Sequence, residues 1–205
     1  MKAFTKHTGI AVPFLRPNID TDLIIPLNRR ARSAEMSQGE IIFESIRYQS
    51  DGSENPDFIL NQLPFRQATI LLAGENFGTG SSRESAVTGL MAFGFAVVIA
   101  PSFGGIFYNN CFGNGLMPVI MSAEQISLLA EQVQRNPLQL ITVDLETNSV
   151  SHPNLETITF TLDERLRNKM LMGLEDLDEI LLHMNKTTAY QTLDKASRPW
   201  IYDWE

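Results

Sequence analysis

The sequence is poor in the residues that bind metals and form cross-links. Its 205 residues include one cysteine, Cys111, and three histidines. A single cysteine excludes an intramolecular disulfide and cannot by itself hold an iron–sulfur cluster, which usually takes several thiolates. The histidines lack the spacing of a metal-binding pair. We therefore expect no metal site on this chain.

Basic clusters and long apolar runs are also lacking. The formal net charge is -8, and phosphate binding needs a concentrated positive surface, so nucleic acid is not an expected partner. No apolar run reaches the roughly 20 residues of a membrane helix. The N-terminus, MKAFTKHTGIAVPF, has no clean apolar signal segment. We expect a cytoplasmic protein that binds neither nucleic acid nor membrane.

What is present suits a folded α/β domain. Hydrophobic residues make up 43% of the chain and charged residues 20%, which favours a packed core over disorder. The length predicts one domain over residues 1–205, with a C-terminal segment from about residue 163 that packs on this domain or on a partner.

The centre of the chain has the pattern of a strand, a helix and a parallel strand. The apolar run ATILLAG (68–74) predicts a buried strand, and AVVIA (96–100) predicts a second. Between them, SRESAVTGLMAFGF predicts a helix capped by Ser81 or Ser82 and ended by Gly94.

Other local signals predict the remaining elements. GIAVPF predicts a strand that ends at Pro13, and LMPVIM another strand. Ser122 and Gln125 have capping-box spacing at the start of a helix. LITVDLE and ETITFTL predict a hairpin, and Asp163 and Gly173 bound a later helix. EDLDEILLHMNKTTAYQTLDKA predicts one final amphipathic helix.

The stretch GENFGTGSSRE (74–84) combines a glycine-rich turn with two serines and an arginine. One interpretation is structural, because glycine permits positive φ and close strand–helix packing. The other is an anion site, in which loop N–H groups, a helix N-terminus and the fork of Arg83 receive a carboxylate or phosphate. The lysine of a phosphate-binding P-loop is missing. The local pattern leaves both interpretations open.

Several motifs together resemble one family. ENFGTGSSRE, GFAVVIAPSFGGIFYNNCFGNGLMPV, NIDTDLIIP, NPDFILN and RNKMLMGLEDL occur in the order found in small subunits of 3-isopropylmalate dehydratase, in the aconitase superfamily. The resemblance covers nearly the whole chain. It implies a swivelling β/β/α domain, with a mixed sheet and flanking helices, and a hydro-lyase subunit of leucine biosynthesis.

The resemblance also implies site residues and partners. Ser81 corresponds to the catalytic base and Arg83 to a residue that binds a substrate carboxylate. The chain would bind no cofactor itself, and a large subunit would carry a [4Fe-4S] cluster. A small dicarboxylate would be the substrate. The further substrate-binding candidates, in the loop and the N-terminal motif, are Ser82, Gly80, Thr79 and Asn18.

The chain departs from the family pattern near this loop. Thr79 stands where the family usually has cysteine, and Ser85 where it usually has histidine. The segment LNRRARSAEMSQGE, in the place of the specificity loop, carries Arg29, Arg30 and Arg32. These changes leave open a paralogue that acts on another malate-type acid, or a non-catalytic anion-binding module.

Overall fold

The structure is a computed structural model that describes residues 1–26, 37–80 and 82–202. The chain divides into two compact units, Met1–Gly173 and Leu174–Glu205. The first unit holds the strands and most of the core, and the second is helical.

Eight strands in the described residues of the first unit form two sheets of four. The strands are β1 (Lys6–Gly9), β2 (Ala11–Phe14), β3 (Ile70–Ala73), β4 (Val97–Ala100), β5 (Met117–Ile120), β6 (Ile141–Asp144), β7 (Ser149–Ser151) and β8 (Ile158–Thr159). The helices are α1 (Thr21–Ile24), α2 (Gln38–Ile41), α3 (Glu44–Arg47), α4 (Ser85–Phe93), α5 (Gly105–Asn114), α6 (Ala123–Arg135) and α7 (Glu164–Met172).

The first sheet is parallel, in the order β2-β3-β4-β5. Every residue of β3 and β4 is buried, as predicted from their continuous apolar runs. The prediction that the first strand ends at Pro13 is wrong, because β2 continues to Phe14. Since β2 lies at the edge of the sheet, its outer side has no ladder that proline would interrupt.

The second sheet is antiparallel, in the order β1-β6-β7-β8. The predicted hairpin is wrong in its pairing, since β6 pairs with β7, which lies in the segment expected to be the connection. The chain turns directly after β6, where the Asp144 carboxylate accepts from the amides of Glu146 and Thr147 and Asn148 has φ +49°. Such side-chain-stabilised turns need only a few residues. Parallel and antiparallel strands thus separate into two sheets, where the resemblance implied one mixed sheet.

Local capping signals correctly predict ends of three helices. Ser122 and Gln125 form the capping box of α6, with the Ser122 Oγ 3.2 Å from the Gln125 amide. Asp163 caps α7 and Gly173 ends it in the left-handed region, and Gly94 ends α4. These interactions lie within a few residues of each helix end, so the sequence alone reveals them.

The core consists of two apolar clusters. The first includes Leu71 and Val98 of the parallel sheet and Leu90 of α4. The second includes Ile70 and Val97 from the same sheet, and also Leu129 of α6. Because β3 and β4 contribute to both clusters, alternate residues of these strands pack to opposite sides, which explains why their sequences are apolar throughout.

His152 is a buried polar residue of this unit, 3% exposed. Its Nδ1 accepts from the Asn154 amide at 3.2 Å, while its Nε2 has no hydrogen-bond partner in the described part of the chain. Burial lowers the pKa of His152 below its usual value of 6.5. The neutral imidazole is therefore the form that the fold accommodates.

We predict that acidification destabilises the fold through His152. As the pH falls below 6.5, the unfolded chain takes up a proton that the folded chain resists, so the free energy of unfolding falls by at most about 1.4 kcal/mol per pH unit. Well above pH 6.5, His152 is neutral in both the folded and the unfolded chain, so its titration no longer changes the free energy of unfolding. Urea unfolding of the parent and of His152→Gln between about pH 8 and about pH 5 measures this slope. Equal slopes would contradict the prediction, since the variant has no imidazole at this position.

The second unit is formed by α8 (Asp176–Leu181) and α9 (Met184–Ser197), followed by a 3-10 turn at Pro199–Ile201. The single final helix that the sequence predicts is therefore wrong, because the helix is interrupted between Leu181 and Met184. At the end of α9 the Asp194 carboxylate accepts from Tyr202 Oη at 2.8 Å and pairs with Arg198, contacts that lower the pKa of Asp194. Large apolar side chains are exposed on this unit, among them Leu177, Ile180, Leu182, Leu193 and Trp200.

The C-terminal segment that begins near residue 163 is thus divided between the units. Helix α7 belongs to the first unit, where Met170 is fully buried and its carbonyl accepts from the Phe4 amide at 2.9 Å. The packing of the later residues on this domain or on a partner stays a prediction. In the described residues, no helix has both the length and the apolar character needed to cross a membrane.

Candidate active site

The glycine loop, residues 74–80, leaves the carboxyl end of β3 and lies between two neighbouring segments. The Gly78 amide donates to the Ile19 carbonyl at 2.7 Å, and the Thr21 amide donates to the Thr79 carbonyl at 2.9 Å. On the other side the Phe77 amide donates to the Ser102 carbonyl at 3.0 Å. The loop therefore extends the parallel sheet beyond its strands. Ligands of open α/β sheets commonly bind at this carboxyl edge.

Several backbone conformations in the loop lie in the left-handed region. Gly78 has φ +72° and Gly80 φ +104°, and Asn76 has φ +55°. A Cβ on Gly78 would lie 2.2 Å from the ring of Phe107, and one on Gly104 would lie 2.6 Å from the Gly78 carbonyl oxygen. Glycine is thus required at Gly78 for both positive φ and close approach, and at Gly104 for close approach alone. The structural interpretation of the loop is correct in this respect.

The loop amides are less available for an anion than the sequence suggested. The amides of Phe77 and Gly78 donate to neighbouring carbonyls, and the Asn76 amide donates to the Ser102 hydroxyl at 2.8 Å. A hydrogen already engaged in a good hydrogen bond contributes little to a second acceptor. These three amides hold the loop in place, and an anion site built from other groups of the loop stays a prediction.

Asn18 is placed by a contact within the site. It has φ +55°, and its Oδ1 accepts from Asn76 Nδ2 at 2.8 Å. Its amide donates to the Glu75 carbonyl at 2.9 Å. Two asparagines in a strained conformation therefore support each other at the ends of β2 and β3. A role of Asn18 in substrate binding stays a prediction.

Helix α4 begins later than predicted. Its first residue is Ser85 and Glu84 is its N-cap, so the prediction of Ser81 or Ser82 as N-cap is wrong. Tertiary contacts explain the difference: the Ser82 carbonyl accepts from Asn110 Nδ2 at 3.4 Å, and the Glu84 carboxylate accepts from Asn114 Nδ2 at 2.8 Å. Arg83 consequently precedes the helix.

Arg83 is held by the N-terminal motif. Its Nη1 donates to the Ile25 carbonyl at 3.2 Å, its Nη2 lies 3.5 Å from the Thr21 hydroxyl, and it forms an ion pair with Asp22. The side chain of Arg83 is 20% exposed and that of Asp22 is 58% exposed. The guanidinium is thus largely enclosed but borders the solvent.

The N-terminal motif contains two aspartates with different roles. Asp20 caps α1, with its Oδ1 2.7 Å from the Leu23 amide. Asp22 does not act in a turn or cap in this way and instead pairs with Arg83. Sequence reasoning missed this pair because the two residues are 61 positions apart. The signal available in the sequence was the acidic residue Asp22, a candidate partner for an arginine.

The other predicted site residues are distributed as follows. Thr79 and Gly80 lie next to α1, where a Cβ on Gly80 would be 3.4 Å from the Asp20 Cβ. Ser82 is exposed beside Arg83. Ser81, Arg29, Arg30 and Arg32 lie outside the described residues.

A cavity of about 280 Å³ borders the first residues of the glycine loop, Gly74 and Glu75, but neither Arg83 nor Asp22 is among the residues that line it. Cys111 is fully buried in the first core cluster, and burial raises the pKa of its thiol well above the usual value, which is typical of a packing residue and not of a metal-binding thiolate. A cavity of about 500 Å³ is lined by residues such as Phe4, His7 and Phe95, and no residue of the glycine loop is among those that line it. The candidate site therefore rests on side-chain chemistry.

The fold and this loop are those of an aconitase C-terminal domain. The model of the family described as aconitase C-terminal domain matches residues 1–124, which include the N-terminal motif, the glycine loop and α5. This confirms the fold class expected from the sequence.

Comparisons with individual proteins are more specific. The chain is 44% identical over 200 residues to the 3-isopropylmalate dehydratase small subunit of Allorhizobium ampelinum, a match that covers 98% of this chain and 100% of the relative. It is 43% identical to the small subunit of Dinoroseobacter shibae, with the same coverage. The chain belongs to the family of 3-isopropylmalate dehydratase small subunits, so the predicted family and enzyme class are confirmed.

A solved structure agrees with this assignment. The crystal structure of 3-isopropylmalate dehydratase from Methanocaldococcus jannaschii matches with a TM-score of 0.59 and 25% identity, covering 92% of this chain and 99% of that chain. The described fold is therefore similar to that of a dehydratase of the same name.

Proposed function

We propose that this chain is the small subunit of a cytoplasmic hydro-lyase that isomerises 2-isopropylmalate to 3-isopropylmalate, with a large subunit completing the active site. The observation that carries the proposal is the enclosed Arg83 at the carboxyl edge of the parallel sheet, next to the glycine loop. Family membership over nearly the full chain supports the same reaction.

Arg83 has the chemistry to recognise the substrate. A guanidinium binds a carboxylate through parallel hydrogen bonds, and 2-isopropylmalate is a dicarboxylate. A fixed guanidinium also orients the substrate, because fewer of its rotamers must be restricted on binding. In this proposal Arg83 binds one carboxylate, and Asn18, Thr79, Gly80 and Ser82 lie along the rest of the site.

Ser81 is proposed as the base. It removes a proton from the carbon next to one carboxylate while hydroxide leaves the neighbouring carbon, which gives an alkene. Return of the proton and of hydroxide to the opposite carbons gives 3-isopropylmalate. An unassisted serine hydroxyl is a poor base, so the mechanism requires an environment that stabilises the alkoxide.

The leaving hydroxide requires a Lewis acid that this chain is not built to hold. Its only cysteine is buried in the core. We propose that a [4Fe-4S] cluster on the large subunit supplies this Lewis acidity when bound. The contribution of this chain is then the base and the carboxylate site.

A reconstitution assay tests the proposal. We expect the chain, mixed anaerobically with its genomically adjacent large subunit, to convert 2-isopropylmalate, and neither chain alone to do so. Citrate, homocitrate and citramalate are offered in parallel. Turnover of another acid with 2-isopropylmalate inert would contradict the proposed substrate and favour a paralogue. No turnover of any acid by a complex with intact cluster would favour a non-catalytic module.

A further inference from the structure

We propose that Asp22 is a positioning residue that fixes the guanidinium of Arg83 for substrate binding. The inference rests on the proposed function, in which Arg83 binds a substrate carboxylate. It concerns a carboxylate that pairs with Arg83 and is not the N-cap of α1.

Three contacts of Arg83 come from one short segment. Thr21, Asp22 and Ile25 supply a hydroxyl, a carboxylate and a carbonyl to its two terminal nitrogens. Thr21 and Ile25 are 1% and 4% exposed, so these two acceptors cannot move without disturbing the core. The guanidinium is therefore attached to a rigid part of the fold.

The segment itself is fixed to the glycine loop. Asp20 caps α1, and the Thr21 amide donates to the Thr79 carbonyl at 2.9 Å. The position of Asp22 is thus set by backbone hydrogen bonds on both sides of it. Through the ion pair, the same framework that holds the glycine loop also determines where the Arg83 side chain points.

The Asp22 carboxylate holds Arg83 more strongly than the neutral Thr21 hydroxyl and Ile25 carbonyl do. A carboxylate forms stronger hydrogen bonds with a guanidinium than a hydroxyl or a carbonyl does. Because Arg has five N–H donors, one guanidinium can contact more than one acceptor group at the same time. Holding the side chain in one rotamer before binding lowers the entropy cost of substrate binding.

The alternative is that Asp22 occupies the place of the substrate and competes with it. In that case, removing the charge would strengthen substrate binding. The neutral contacts argue for positioning, since a competing carboxylate alone would not require the additional attachment of Arg83 to Thr21 and Ile25. The two possibilities predict changes of KM in opposite directions.

The test compares Asp22→Asn, Arg83→Gln and the double variant in the complex with the large subunit. We expect Asp22→Asn to raise the KM for 2-isopropylmalate about five- to tenfold with kcat little changed, as for loss of a charge-assisted hydrogen bond that is partly screened. In the Arg83→Gln background the same change should have no further effect, because a positioning residue acts only through the group it positions.

Glu54→Gln is the matched control. Glu54 also forms an ion pair with an arginine, Arg66, at a partly exposed position, so its replacement removes the same charge from the same kind of contact away from the glycine loop. We expect its KM to equal that of the parent. Thermal unfolding and size-exclusion chromatography of each complex verify folding and assembly.

The outcomes separate this inference from the proposed function. An unchanged KM in Arg83→Gln would overturn the role of Arg83 itself. If Arg83→Gln is impaired but Asp22→Asn has the parent KM or a lower one, the positioning inference is wrong and Arg83 keeps its role. An equal effect of Asp22→Asn in both backgrounds also overturns the inference, because Asp22 would then act independently of Arg83.

Discussion

Replacement of Ser81 by alanine will reduce kcat for 2-isopropylmalate by about 10²- to 10⁴-fold, the range that a positioned general base contributes. The substitution removes the hydroxyl that the proposed mechanism uses to take the proton, and it adds no bulk. Because the substrate carboxylate still meets Arg83, the KM should change much less than kcat. Steady-state kinetics of the anaerobic complex measures both.

Ser82→Ala provides the comparison for this experiment. Ser82 is the adjacent serine and is exposed, and its carbonyl oxygen accepts from Asn110 Nδ2, a contact that alanine retains. We expect at least a tenth of the parent kcat in this variant, as roughly expected for loss of a peripheral polar contact. Equal kcat values in the parent and Ser81→Ala would exclude Ser81 as the base, and a large loss only in Ser82→Ala would reassign the role.

Gly78→Ala will destabilise the first unit by about 2–4 kcal/mol, because it combines a side chain at positive φ with overpacking. Gly78 has φ +72°, and the new Cβ would lie 2.2 Å from the Phe107 ring. Phe107 is buried and packs against Phe77 with ring centroids 5.5 Å apart, so it has little room to move. Urea unfolding monitored by circular dichroism measures the change.

Gly113→Ala is the corresponding control. Gly113 lies in α5, and apart from its chain neighbours and the backbone of its own helix no atom is within 4 Å of the position its Cβ would take. Alanine favours the helix over glycine by about 1 kcal/mol, so this variant should be neutral or slightly stabilised. If Gly78→Ala were as stable as the parent, the close packing of the glycine loop against Phe107 would not describe the molecule in solution.

The activity of Gly78→Ala extends the prediction to function. Two hydrogen bonds join the loop to the N-terminal motif, which holds Arg83. The Gly78 amide donates to the Ile19 carbonyl, and the Thr21 amide donates to the Thr79 carbonyl. A displaced loop should therefore weaken substrate binding even at temperatures where the variant is folded. An unchanged KM would show that the loop and the carboxylate site move independently.

The elements predicted from the sequence are those with local causes. Strands β3, β4 and β5 follow from short apolar runs, and α6 follows from the Ser122–Gln125 capping box. Each depends on interactions within a few residues, which a local pattern records. Family membership was also visible in the sequence, because it depends on the identity and order of motifs and not on their contacts.

The errors share a different cause. The start of α4 and the pairing of β6 with β7 depend on competing hydrogen bonds that the local pattern does not contain. At α4, Asn110 and Asn114 reach the segment before the helix from α5, 28 and 30 residues away in sequence. A capping preference worth about 1 kcal/mol is readily outweighed by several such contacts.

The sequence by itself determined the class of domain, the family and the presence of an arginine after the glycine loop. The tertiary structure decided what the loop amides bind and what holds the arginine: the amides of Phe77 and Gly78 join neighbouring segments, and Arg83 is held by residues 58–62 positions earlier in the chain. The physical reason is that residue types and short-range periodicity are written along the chain, whereas the partner of a polar group is chosen only when distant segments pack together.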